Sequence, residues 1–160
     1  MIQRILPKHR QLDARLQDAI ASYQHADNVP DVAFLWRAIE WTRPDGVIAF
    51  IVAGRLLFKR GGPGAHMRNT LFQFLQITGV LNGALLMPLW KKINQPFCIV
   101  FARNRAPKPD GRFTMVTPVL ETSPTREMRM RIDAEARQPV SIPAALERPH
   151  VFKALSLIHI

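Results

Sequence analysis

Between residues 31 and 104 the apolar positions switch between helical spacing and continuous runs. Val32, Leu35, Trp36 and Ile39 share one helical face, and Phe34, Ala38 and Trp41 line a second. That pattern predicts a helix apolar on two sides, wedged between layers. Asp31 is placed to open it, because a carboxylate there meets unpaired backbone N–H groups. Pro44-Asp45-Gly46 ends it: the residue before a proline avoids helical angles, and Asp-Gly makes a turn. Residues 47–53, VIAFIVA, show no alternation and are rich in β-branched side chains. They read as a strand buried on both faces of a parallel sheet. Residues 59–66 read as a basic, Gly-rich loop. Residues 67–76 form a helix with Met67, Leu71, Phe74 and Leu75 on one side. A strand over 79–86, a loop over 88–96 and a short buried strand over 97–102 follow. Helix and strand in alternation imply an α/β layered fold, and no internal repeat is visible.

The flanks differ. Leu12, Leu16, Ala19, Ile20 and Tyr23 predict an amphipathic helix over 10–23, followed by a polar connector to residue 30. After Asn104 the character changes. Residues 105–111 make a linker, and 113–120 read as a strand interrupted by Pro118. Residues 121–149 are polar and Arg-rich, with a helix near 126–136 and then loop. Little apolar area is available there to offset chain entropy.

The chain's 160 residues, 48% of them hydrophobic, suffice for one domain with a core. The net charge of +10, with arginine outnumbering lysine, favours a polyanionic partner, and nucleic acid is the default. The alternative is a soluble domain that happens to be basic. Cys98, the one cysteine, excludes an internal disulfide and a cysteine-rich zinc site, and its apolar surroundings make it an inert core residue. No signal peptide or membrane-length apolar run is visible, which implies a cytoplasmic protein. The five histidines are scattered and none stands at metal-ligand spacing.

Three passages carry a resemblance. The first is residues 34–52, FLWRAIEWTRPDGVIAFIV; the second is Arg55-Leu56-Leu57-Phe58; the third is residues 95–104, QPFCIVFARN. Together they resemble the adenine-specific DNA methyltransferases of restriction–modification systems, over about half the chain. The helix–turn–strand unit specifies the superfamily better than the substrate. The third passage and the basic charge point to DNA. The resemblance implies the C-terminal half of a Rossmann-like, S-adenosylmethionine-dependent methyltransferase sheet, incomplete in this chain. The strand from Val47 would be the last parallel strand, and those near Gly79 and Phe97 its reversed end hairpin. It also implies DNA as partner, with a specificity or restriction subunit beside it.

The departures are large. The glycine-bearing loop that holds the methyl donor is absent, as is the Asn-Pro-Pro-aromatic or Asp-Pro-Pro-aromatic tetrapeptide that would hold a flipped adenine. Both lie upstream of residue 31 in the family, so Met1 is expected just after the tetrapeptide and the isolated chain is expected to be inactive. Residues 155–160, LSLIHI, look like the translation of a transposon-end adapter; the alternative is a short native tail. The expected organisation is an N-terminal helix and connector over 1–30, a partial methyltransferase domain over 31–104, and a Pro/Arg-rich segment over 105–154. The latter leads to a truncated recognition region, and the adapter-like tail ends the chain.

The most site-like stretch is the 59–66 loop. It follows the carboxyl end of a buried strand, where open α/β sheets bind ligands. It lacks the Gly-Lys-Ser/Thr of a nucleotide-binding loop. Arg55, Lys59, Arg60, His66 and Arg68 are the candidate DNA contacts, against the reading of a solvated loop. Trp36, Trp41 and Phe34 stand at helical spacing and read as core. Lys91 and Lys92 read as a solvated loop.

Overall fold

A computed structural model describes residues 30–58, 62–89, 95–122 and 127–147. The helix expected over 10–23, Lys59, Arg60, Lys91, Lys92 and the 155–160 tail lie outside the described residues.

The chain opens with α1 (Pro30–Trp41). Val32, Leu35, Trp36 and Ile39 are buried, as their spacing requires. The expected second apolar face is not covered: Phe34 is 43% and Trp41 68% exposed. Among the described residues the helix packs against the sheet on one side only, and Trp41 carries the Arg37 guanidinium over its ring. The turn at Pro44-Asp45-Gly46 is closed by the Gly46 amide donating to the Arg43 carbonyl at 2.9 Å. Asp45 occupies the left-handed region there, at φ 60°. A Cβ at Gly46 would come 2.5 Å from Thr42 and 2.8 Å from the Arg43 carbonyl, so glycine is the residue that fits.

β1 (Val47–Ala53), α2 (Arg55–Phe58) and α3 (Gly62–Phe74) follow. α3 begins earlier than expected, so residues 62–66 are helix rather than loop. Gly62 sits at positive φ and Pro63 falls in the first turn, where its missing N–H removes no intrahelical bond. β2 spans Gln76–Asn82, shifted from the expected 79–86, and a 3-10 helix, Ala84–Leu89, takes the rest. β3 (Phe97–Arg103) and β4 (Arg112–Val116) precede Pro118, and β5 (Val119–Thr122) resumes after it. The helix expected near 126–136 is absent. The region forms β6 (Met128–Arg131), β7 (Arg137–Ser141) and a short α4 (Ile142–Glu147). It also contributes to the core, through Val140, Ile142 and Ala145.

The main sheet has the order β1-β3-β2-β4-β7; β5 and β6 pair separately. β3 is antiparallel to both β1 and β2, so those two run the same way with β3 reversed between them. β4 is parallel to β2, and β7 antiparallel to β4. The sheet is therefore mixed and mostly antiparallel, within an α/β arrangement.

Alternation along the strands defines two faces. Ile48, Val52, Val100, Ala102, Val80 and Met115 enter one core with the buried residues of all four helices. The other face holds Val47 (67% exposed), Ile51 (48%) and Phe101 (37%). β1 is thus not buried on both faces: the described helices cover only one. No helix among the described residues is long and apolar enough to cross a membrane.

Candidate functional site

The carboxyl end of β1 is assembled from three directions. Gly54 approaches Pro96 closely enough for its amide to donate to the Pro96 carbonyl at 2.8 Å. The Leu57 and Phe58 amides then donate to the Gly54 carbonyl, which starts α2 immediately after the strand. Asp31 reaches the same end from α1. One carboxylate oxygen accepts from the Val32 amide at 2.9 Å, and the other from the Ala53 amide at 2.7 Å. The first bond is the expected role at the helix start. The second joins positions 22 residues apart, which no local pattern signals.

The candidate cations divide. Arg55 is exposed at the first position of α2. His66 is exposed on α3, and its carbonyl accepts from the Thr70 hydroxyl at 3.0 Å. Arg68 departs from the expectation of a surface contact. It is 1% exposed, and its guanidinium donates to the Leu57 carbonyl at 3.0 Å, locking α3 onto α2. Burial pushes its pKa below the ordinary arginine value. Two positions separate His66 from Arg68, which turns them to opposite sides of a 3.6-residue helix. The described surface therefore presents Arg55 and His66 outward and withdraws Arg68.

Asp31 is already engaged with two backbone amides and Arg68 with a carbonyl, so the polar groups at this strand end brace the fold. They do not fit a methyl-donor site. Cys98 is fully buried, and burial, opposed by a weaker hydrogen bond from the Gly83 backbone, pushes its thiol up to about 12. That makes it inert at neutral pH, as expected. Among the described residues no group of three or more His, Cys, Asp or Glu side chains could hold a metal ion.

Asn104 ends the third resembling passage, where its sequence context signals no role. Its side-chain amide donates to the carbonyls of Ile39 and Thr42, and its backbone exchanges bonds with Asp45 and Gly46. The end of β3 thereby fastens the end of α1 and the turn into β1. The signal available was a polar residue following an apolar strand, which is too common to single out.

No family model and no curated protein matches the chain. Among solved structures, it is similar to the M protein of the type I restriction enzyme EcoKI, at 19% identity and a TM-score of 0.44, over 54% of this chain and 19% of that one. It is also similar to the type IIG restriction endonuclease BpuSI, at 12% identity and a TM-score of 0.49, over 84% of this chain and 18% of that one. The chain thus spans less than a fifth of either of these two restriction enzymes.

Proposed function

We propose that the chain is the C-terminal half of the catalytic domain of a DNA adenine methyltransferase of restriction–modification type. The parent transfers a methyl group from S-adenosylmethionine to the amino group of adenine in DNA, in the cytoplasm, beside a specificity or restriction subunit. The donor site and the base clamp belong to the other half, so this chain alone is inactive. Its own contribution is the supporting layer of the sheet, with Arg55 and His66, and Lys59 and Arg60 between them in sequence, as phosphate contacts.

The observation that carries this reading is the assembly of the three resembling passages. β1 pairs with β3 along all seven of its residues, from Val47↔Arg103 to Ala53↔Phe97. α2 follows at the strand's end, and Asn104 ties β3 back to α1. Passages far apart in sequence meet as one layer. β1 is also flanked by a strand on one side only among the described residues. A self-sufficient nucleic-acid-binding module, the rival reading, calls for a closed sheet instead. A further rival keeps the fold and changes the substrate to RNA or a small molecule.

The test is complementation. The chain is co-purified with the donor-binding half of a DNA adenine methyltransferase supplied as a separate chain, and methyl transfer from labelled S-adenosylmethionine to DNA, RNA and free nucleosides is followed. Transfer to DNA adenine by the pair and none by the chain alone is expected. A pair that methylates only RNA or a small molecule refutes the DNA assignment. Tight, salt-sensitive DNA binding by the chain alone, with no gain on adding the other half, favours the rival module.

A further inference from the structure

Asn82 and Gly83 stand together for separate structural reasons. Asn82 ends β2 and is fully buried. Its side-chain oxygen accepts from the Ala84 amide at 3.1 Å, a local bond that fixes the entry to the 3-10 helix. The side-chain nitrogen is left buried with no hydrogen-bond partner. Gly83 follows because the chain passes against the Phe97 ring, where a Cβ would come within 2.3 Å. The fold therefore installs an Asn-Gly pair, and of the five asparagines only Asn82 precedes a glycine.

Such a pair is chemically labile. With no Cβ on the second residue, its backbone nitrogen can reach the asparagine Cγ. The nitrogen gives its proton to water and bonds Cγ. The Cγ–Nδ2 bond breaks, and Nδ2 takes up a proton and departs as ammonia. One water molecule then opens the succinimide at either carbonyl, giving aspartate or isoaspartate.

Each reacting atom is restrained in the folded chain. The Gly83 nitrogen donates its hydrogen to the Phe97 carbonyl at 2.8 Å, extending the β2–β3 pairing past Asn82↔Cys98. Attack on Cγ requires that hydrogen to leave and the nitrogen to turn out of the ladder. The Cγ carbonyl is held by Ala84, and burial of Asn82 keeps water away. The products do not fit back. Aspartate puts a charged oxygen where Nδ2 has no partner, and an unpaired buried carboxylate is costly. Isoaspartate routes the main chain through the side-chain carbon, which lengthens the backbone where Gly83 meets Phe97.

We propose that Asn82-Gly83 is a deamidation site gated by the fold. The closed end of β2 and β3 preserves the amide. Opening of that end lets it leave as ammonia, and the acid left behind resists reclosure. The site is independent of methyl transfer, so its test leaves the proposed function untouched.

The full chain is incubated at mildly alkaline pH in buffer, in urea below its unfolding transition and in urea above it. Peptide mass spectrometry follows the amide-to-acid mass gain at residue 82, and hydrogen exchange follows the Gly83 amide. Asp45-Gly46 and Asp110-Gly111 can also form succinimides, but these reopen without a mass change and do not interfere. Deamidation is expected to be at least about tenfold slower in buffer than in unfolding urea, as for a reaction limited by local opening. Below the transition it should rise with urea in parallel with Gly83 exchange. Asn82→Asp, the product made directly, should lower the urea midpoint. Equal rates in folded and unfolded chains overturn the gating, and no mass gain at residue 82 in the unfolded chain overturns the site. An unchanged midpoint in Asn82→Asp overturns the resistance to reclosure. Failure of that variant to fold supports the resistance, and the wild-type rates still decide the gating.

Discussion

Asn104 closes α1 from the far end of β3, its side-chain amide donating to the Ile39 carbonyl at 3.0 Å and to the Thr42 carbonyl at 2.7 Å. The last carbonyls of a helix have no intrahelical partner, and this amide supplies one across 62 to 65 positions of sequence. Asn104→Ala is expected to cost about 1–3 kcal/mol, because the Thr42 carbonyl loses the Asn104 donor and the Ile39 carbonyl keeps only the longer bond from the Thr42 amide at 3.3 Å. Asn104→Asp is expected to be no better, since a carboxylate brings a third acceptor instead. Urea unfolding of the three proteins measures the difference; an unchanged midpoint for Asn104→Ala contradicts the role.

Asp31 makes the equivalent link at the other end of the strand. Asp31→Ala removes the bonds to the Val32 and Ala53 amides and is expected to cost about 1–2 kcal/mol, the range for a lost helix-start contact. Asp31→Asn keeps one acceptor and should fall between. Amide exchange gives a sharper readout: Ala53 should lose protection in both variants, and Val52, whose amide is not bonded to Asp31, much less.

Arg55 and Arg68 should separate cleanly. Arg68→Ala deletes a buried side chain and its bond to Leu57, with an expected loss of about 2–4 kcal/mol. Arg55→Ala, at an exposed position, should stay within about 0.5 kcal/mol in stability. In the complemented enzyme Arg55→Ala should reduce the slope of log affinity against log salt by about 1, as for one lost phosphate contact. An unchanged slope removes Arg55 from the DNA surface.

Cys98 should resist alkylation at pH 8 until the chain unfolds. Its folded pKa lies above its ordinary value, so the folded state holds the thiol proton after the unfolded state has released it. Stability therefore falls as pH rises from 9.0 toward about 12. The slope from this group is at most about 1.4 kcal/mol per pH unit. Cys98→Ala should flatten that alkaline decline, and equal slopes for both proteins would refute it.

Elements with a strong local signature were legible in sequence. α1, the Pro44-Asp45-Gly46 stop, β1, β3 and the break at Pro118 follow from apolar spacing and backbone chemistry alone. The start of α3 was hidden because Gly62, Pro63 and Gly64 are helix breakers in the interior but tolerated in a first turn. β6 was hidden because Met and Arg alternate there without burial: Met128 is 47% and Met130 52% exposed, so no core-facing period exists to find. Exposure of Phe34, Trp41 and alternate residues of β1 was not legible either. Apolar sequence reports what a surface can bury, while the neighbours that bury it are set by topology. Arg68 is the same lesson inverted, a charge taken inward by a carbonyl that only the tertiary fold brings near.

The middle position of β3 sets a schedule for synthesis. β1 and β2 are neighbours only through a strand made after both, and Ala53 and its partner Phe97 are 44 positions apart. At about 5–20 residues per second, the VIAFIVA segment waits several seconds or less for its partner while already outside the ribosome's active centre. A holding chaperone, or slow emergence from the exit tunnel, would protect it in that interval. Synonymous codons that delay residues 54–96 should therefore lower the soluble yield of a chain whose folded structure they leave untouched.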